Sequence, residues 1–154
     1  MHNEDGAVVD DQTGLPNLGG WLAILEAEEL RSRRHGGRHG LIRIELEWPG
    51  SGRMWAGAVA EALGPAIRET DLLARVDERV FGVLALHCDS LETVGDRLRR
   101  AVQHLSPLLG ASIDSCTAGA DLRTVWARLA AGDGTPRTRV RHVDPVVSGH
   151  PGRN

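Results

Sequence analysis

The stretch Leu41 to Trp48 constrains this chain more than any other. Ile42, Ile44, Leu46 and Trp48 alternate with Arg43, Glu45 and Glu47, a period of two that belongs to a strand with two unlike faces. On either side the apolar period lengthens to that of a helix. Upstream, Leu18, Leu22 and Leu25 recur with Trp21 and Ile24 beside them, while Glu26, Glu28, Glu29, Arg31 and Arg33 fall outside the stripe. Glu29 and Arg33 have the spacing of an i,i+4 pair. Downstream, Trp55, Val59, Leu63 and Ile67 lie four apart, and Pro65 predicts a kink or break near Gly64. A strand between two amphipathic helices must find its hydrogen-bond partners elsewhere in the chain.

Those partners are legible further on. Leu72 to Val76 and Val80 to Leu86 read as a hairpin. Asp89 or Ser90 caps a helix striped by Leu91, Val94, Leu98, Val102 and Leu105. Leu108 to Ile113 is apolar enough for another strand, Asp121 caps a helix carrying Leu122, Val125, Trp126 and Leu129, and Arg139 to Val143 reads as a last edge strand. At the start, Asp10 to Asn17 is dense in turn and cap residues and delivers the chain into the first helix at about Leu18, which His35-Gly36-Gly37 ends. The order α-β-α-β-β-α-β-α-β predicts an α+β fold: a mostly antiparallel central sheet flanked by helices, of the nucleotide-cyclase palm or ferredoxin-like type. We expect a disordered leader over residues 1–9, one domain over 10–143 and a flexible tail over 144–154.

Composition excludes several classes of function. With 154 residues, 41% hydrophobic, 25% charged and a net charge of −3, the chain reads as one soluble globular domain with no field for gathering nucleic acid or anionic membrane. All eighteen basic residues are arginine, so no Walker-type or Schiff-base lysine exists. There is no tyrosine and only Phe81, too little for an aromatic platform for single-stranded nucleic acid. Cys88 and Cys116 make neither a disulfide framework nor a zinc spacing; Cys88 reads as a small buried or boundary residue, not a nucleophile. No apolar run approaches the ~20 residues of a membrane span, and the acidic start is not signal-like, so a cytoplasmic location is expected. Gly36-Gly37 between His35 and His39 predicts a solvated loop, not a metal pair. Trp21, Trp55 and Trp126 read as core. Arg137, Arg139 and Arg141 read as a solvated edge.

Two stretches carry a resemblance. Asp10-Asp11-Gln12-Thr13-Gly14-Leu15-Pro16-Asn17 resembles the D-x-L-T-G-L-x-N-R opening of GGDEF domains, the diguanylate cyclases, with Gln12 for the leucine and Leu18 for the arginine. Arg68 to Phe81 is similar to that family's R-x-x-D-x-x-x-R-x-G-G-D-E-F stretch. The order of elements agrees from about Asp10 to Val143.

The departures bear on chemistry. With Phe81 as anchor, Asp77-Glu78-Arg79-Val80 stands where the resemblance implies two glycines and an acidic pair. The glycines would let backbone approach triphosphate; Asp77 and Glu78 add bulk and negative charge, and Arg79 and Val80 replace the acidic pair implied to bind metal and activate a hydroxyl. A second register, with Asp77-Glu78 on the acidic pair, still loses both glycines. Glu45 and Glu47 stand where the family has its D-x-D pair, so Glu45 is a vestigial metal ligand at most. Only Trp48 to Arg53 lies where the family's guanine-reading stretch would be. These departures leave no expected catalytic residues and no expected cofactor, and residual diguanylate cyclase activity stands third among the readings.

What remains is Arg68-x-x-Asp71, with the spacing of the family's cyclic di-GMP inhibition site. An arginine fork can donate to guanine O6 and N7, and a carboxylate can accept from N1–H and N2–H; Arg75 would stack on a base or neutralise phosphate. Asp71 satisfying local backbone donors, with Arg68 solvated, is the structural reading of the same four residues. The sequence thus leads first to a catalytically inactive receptor for cyclic di-GMP, binding through Arg68, Asp71 and Arg75. The alternative is an interaction scaffold that docks on another signalling protein or dimerises. Nucleic acid and membrane are not expected partners.

Overall fold

The structure is a computed structural model, and it describes residues 8–132. The elements run α1 (Leu18–His35), β1 (His39–Glu47), α2 (Gly52–Leu63), a 3₁₀ turn (Gly64–Ala66), β2 (Leu72–Asp77), β3 (Val80–Ala85), α3 (Leu91–Leu105), β4 (Gly110–Ala118) and α4 (Leu122–Ala131). The four strands form one antiparallel sheet in the order β2-β3-β1-β4, an α+β fold of the palm type. Among the described residues no helix is long and apolar enough to cross a membrane. The expected strand at Arg139–Val143 lies outside the described residues.

The alternation in β1 does what its period predicts. Ile42, Ile44, Leu46 and Trp48 join Phe81, Val83 and Ile113 on one face, under α2 and α3. On the other face Leu41, Ala74, Leu84 and Ala118 lie under α1 and α4. There Trp21 and Trp126 meet edge to face, centroids 5.1 Å apart. Gly82 lies directly beneath them: a Cβ at that position would come within 2.9 Å of Trp21 and 3.1 Å of Trp126. The rings rest on the sheet because residue 82 has no side chain.

Local chemistry sets most boundaries. Asn17 caps α1 through Gly20 N–H, and Gly36, at φ 75°, ends it. Ser51 caps α2, Ser90 caps α3, and the helix carrying Trp55, Val59 and Leu63 gives way to the 3₁₀ turn at Pro65.

Elsewhere the fold departs from expectation. α1 turns the stripe Trp21, Leu25, Glu28, Glu29 and Ser32 inward and leaves Leu18 and Leu22 exposed. The buried acids have distant partners. Glu29 pairs directly with Arg123 at 2.7 Å, while Arg33 acts on it through its charge, and Glu28 pairs with Arg31 and with His39, 3.2 Å away. His39 is no loop residue: it opens β1, fully buried, with Ser32 Oγ 3.0 Å from Nε2. β4 starts at Gly110 and runs to Ala118, later and longer than expected, because it pairs along all of β1 from Glu47 to His39. Leu108 belongs to the preceding Ser106 turn and is 62% exposed. Asp121 does not cap α4 with its side chain; Glu29 does, accepting from Arg123 N–H at 2.7 Å.

Candidate functional site

The hairpin of β2 and β3 gathers every residue singled out around Arg68 to Phe81, but it distributes them among three separate places. The first is beneath the N-terminal loop. Asp10 N–H donates to Leu15 O, Gly14 N–H to Asp10 O, and Thr13 to the Asp10 carboxylate through both N–H and Oγ1. This closed loop packs on β2, where Arg75 N–H donates to Pro16 O. The Arg75 guanidinium donates to both Asp10 carboxylate oxygens at 3.2 Å, to Gln12 Oε1 at 2.6 Å and to Glu78 O at 2.8 Å. Arg75 is 7% exposed. It clamps loop to strand, its donors taken up by groups of the chain itself, where the sequence reading has it face a base or phosphate.

The second place is the hairpin apex. Asp77 pairs with Val80 across the turn, after a bulge between Arg75 and Asp77, leaving Glu78 and Arg79 at the tip. Arg79 reaches across to the β1–α2 turn. It donates to Trp48 O at 3.0 Å and Gly50 O at 2.9 Å, and its guanidinium lies 5.1 Å from the Trp48 ring centroid. Leu46 N–H donates to Arg79 O. The apex is thus pinned to the turn by a cation. Phe81, behind it, is fully buried and packs under α2 and α3. Glu45 stands opposite Val80 on β1 but turns to Arg43, 3.1 Å away, with 55% of its side chain exposed. Among the described residues no three His, Cys, Asp or Glu side chains gather as metal ligands.

The third place is the corner where the 3₁₀ turn meets β2. Sequence placed Arg68 and Asp71 together, and the structure joins them as an ion pair: Nε to Oδ2 at 3.2 Å and an NH2 group to Oδ1 at 2.9 Å. The carboxylate also accepts from Arg68 N–H at 3.0 Å and Leu86 N–H at 3.1 Å, and its side chain is fully buried. Arg68 donates further to Leu86 O and keeps 45% of its side chain exposed. Its pKa is raised by the hydrogen bond to Asp71 and by that carboxylate's charge. Asp71 thus faces the protein, and what the corner presents outward is one edge of a guanidinium. Of the two readings of these residues, the one with Arg68 simply solvated does not hold, since it pairs with Asp71.

The residue whose contacts sequence reasoning missed is Arg79. It registered only as a departure from a motif, because its partners are backbone carbonyls 29 and 31 residues away. The signal available was an arginine at a hairpin tip in a chain with Trp48 beside a Pro-Gly turn, a pairing that only the fold reveals.

A cleft of about 510 Å³ opens between the N-terminal loop, the start of α1 and the hairpin apex, with Asp10, Asp11, Asp77 and Glu78 on its walls and Arg75 at its base.

With this architecture in view, the chain can be set against known proteins. Its fold is that of GGDEF domains. It superposes on the diguanylate cyclase SiaD of Pseudomonas aeruginosa, solved in complex with its activator SiaC, at a TM-score of 0.72 and 24% identity, over 83% of this chain and 57% of that one. A sensory box/GGDEF family protein from Caulobacter crescentus gives 0.66 at 23% identity, over 80% and 92% of the two chains. The GGDEF domain of DgcB from Caulobacter crescentus, in complex with c-di-GMP, gives 0.66 at 15% identity, over 86% and 95%. The chain thus spans a little over half of SiaD and nearly all of the DgcB domain. No protein-family model and no curated protein matches it.

Proposed function

We propose that this chain is a non-catalytic GGDEF-fold module of cyclic di-GMP signalling that works by contact with another protein. The observation that carries the reading is the apex. Where the resemblance implies a glycine tip open to triphosphate, Asp77 and Glu78 repel it, and Arg79 occupies the gap to the β1–α2 turn. Seating a triphosphate there would mean breaking two hydrogen bonds and a ring contact while bringing like charges together. A contact role is compatible with the fold, since SiaD is seen bound to an activator protein. Incubating the purified chain with GTP and Mg²⁺, with products resolved by chromatography, tests the non-catalytic part. We expect no dinucleotide; sustained turnover by pure protein overturns the reading.

A second reading, a receptor for cyclic di-GMP, is favoured by the half-exposed edge of Arg68 and by DgcB being seen with c-di-GMP. It requires Asp71 to leave Arg68 N–H and Leu86 N–H and turn outward. Calorimetric titration with cyclic di-GMP separates the two. Saturable heat that Arg68→Ala abolishes would establish the receptor, whereas its absence leaves the contact role.

A further inference from the structure

The described surface gathers most of its exposed apolar bulk in one place. Of seven large apolar side chains exposed among the described residues, four are Val8, Val9, Leu18 and Leu22, between 37% and 50% exposed. They form one step. Asn17 N–H donates to Val8 O, and Val8 lies so close on α1 that a Cβ at Gly20 would come within 2.5 Å of its carbonyl oxygen. Val9 bridges to Pro16, and Leu18 and Leu22 follow one turn apart. The carboxylate-walled cleft begins at the edge of this step, since Val9 and Leu18 line it too.

The charge there is one-sided. Arg75 is consumed by Asp10, Gln12 and Glu78 O, so Asp11 and Asp77, which also line the cleft, set the sign of the rim. The α1 start adds only about half a positive charge. Such a surface repels phosphate-bearing partners, and its apolar half has no use for a bare cation. We propose that it is a docking surface for a protein segment in which arginine or lysine alternates with aliphatic side chains, the aliphatics on the Val8–Leu22 step and the cations in the cleft. This rests on the contact reading above and names the chemistry of the partner.

The test is a titration of the isotopically labelled protein, followed by NMR, with an eight-residue peptide alternating arginine with leucine. Shifts should map to Val8–Asp11, Leu18–Leu22 and Asp77–Glu78. Binding should weaken at least about tenfold in Leu18→Ser/Leu22→Ser and equally in Asp11→Asn/Asp77→Asn, a loss of about 1.4 kcal/mol or more. Glu92→Gln/Asp96→Asn, which removes the same charge from α3, should leave affinity within about twofold. Equal weakening by that control, shifts elsewhere, or no binding overturns the proposal. So does a wild-type dimer that Leu18→Ser/Leu22→Ser dissociates, since the occupant is then a second copy. Any of these with GTP turnover still absent removes the surface and keeps the non-catalytic assignment; turnover removes the assignment itself.

Discussion

Gly82 is the residue on which the second core closes. Two indole rings meet above it, and the space for even one methyl group is missing. Gly82→Ala should cost about 1–3 kcal/mol by overpacking, read from the shift in urea midpoint, with a change in tryptophan fluorescence as the two rings separate. His39 makes a different demand. Its Nδ1 accepts His87 N–H at 2.9 Å, so its proton sits on Nε2, toward Glu28 and Ser32. Burial lowers its pKa from the ordinary 6.5, against the opposing pull of Glu28. The unfolded chain then takes up the proton first as pH falls. Stability present above about 6.5 is lost from there down towards the lowered folded value, by up to about 1.4 kcal/mol per pH unit. Urea midpoints should fall between pH 7 and about 5.5, and His39→Asn should flatten that part of the profile. None of this is legible locally. Sequence shows a histidine after two glycines; only the fold brings Glu28 and Ser32 over it.

At the scale of elements, the hairpin is held at its open end and at its middle by side chains of the resemblance motifs. Asp71 ties its open end through Arg68 N–H and Leu86 N–H, and Arg75 ties its middle to the N-terminal loop. Asp71→Ala should therefore cost about 1–3 kcal/mol, because two part-buried backbone donors lose the buried carboxylate that accepts from them. Arg75→Ala should free the 10–17 loop, read as new protease cleavage there well below the global unfolding midpoint. The elements themselves were largely readable, because strand and helix periods differ and Asn17, Ser51 and Ser90 punctuate them. What failed was wherever a polar residue is satisfied from afar. β4 looked short because Asp114, Ser115 and Thr117 are polar, yet all nine of its residues pair with β1. α1 looked as if it faced Leu18 and Leu22 inward, because Glu28 and Glu29 cannot announce partners that lie on β1 and α4.

At the scale of the molecule, the fold's two cores are independent of the glycine tip that the resemblance implies at its apex. Both cores close with Arg79 in place. Arg79→Gly should leave the far-UV spectrum unchanged and loosen the apex, with faster amide exchange at Leu46, whose N–H donates to Arg79 O.

The first and last described helices share a single carboxylate. Glu29 holds the Arg123 amide and guanidinium, 94 residues away, and although burial opposes it, those bonds and charges keep its pKa low. The final helix is therefore started by the opening one. On a nascent chain, α4 must therefore wait for α1 to supply its first acceptor, and a cut that removed α1 would unravel a stretch far from it in sequence.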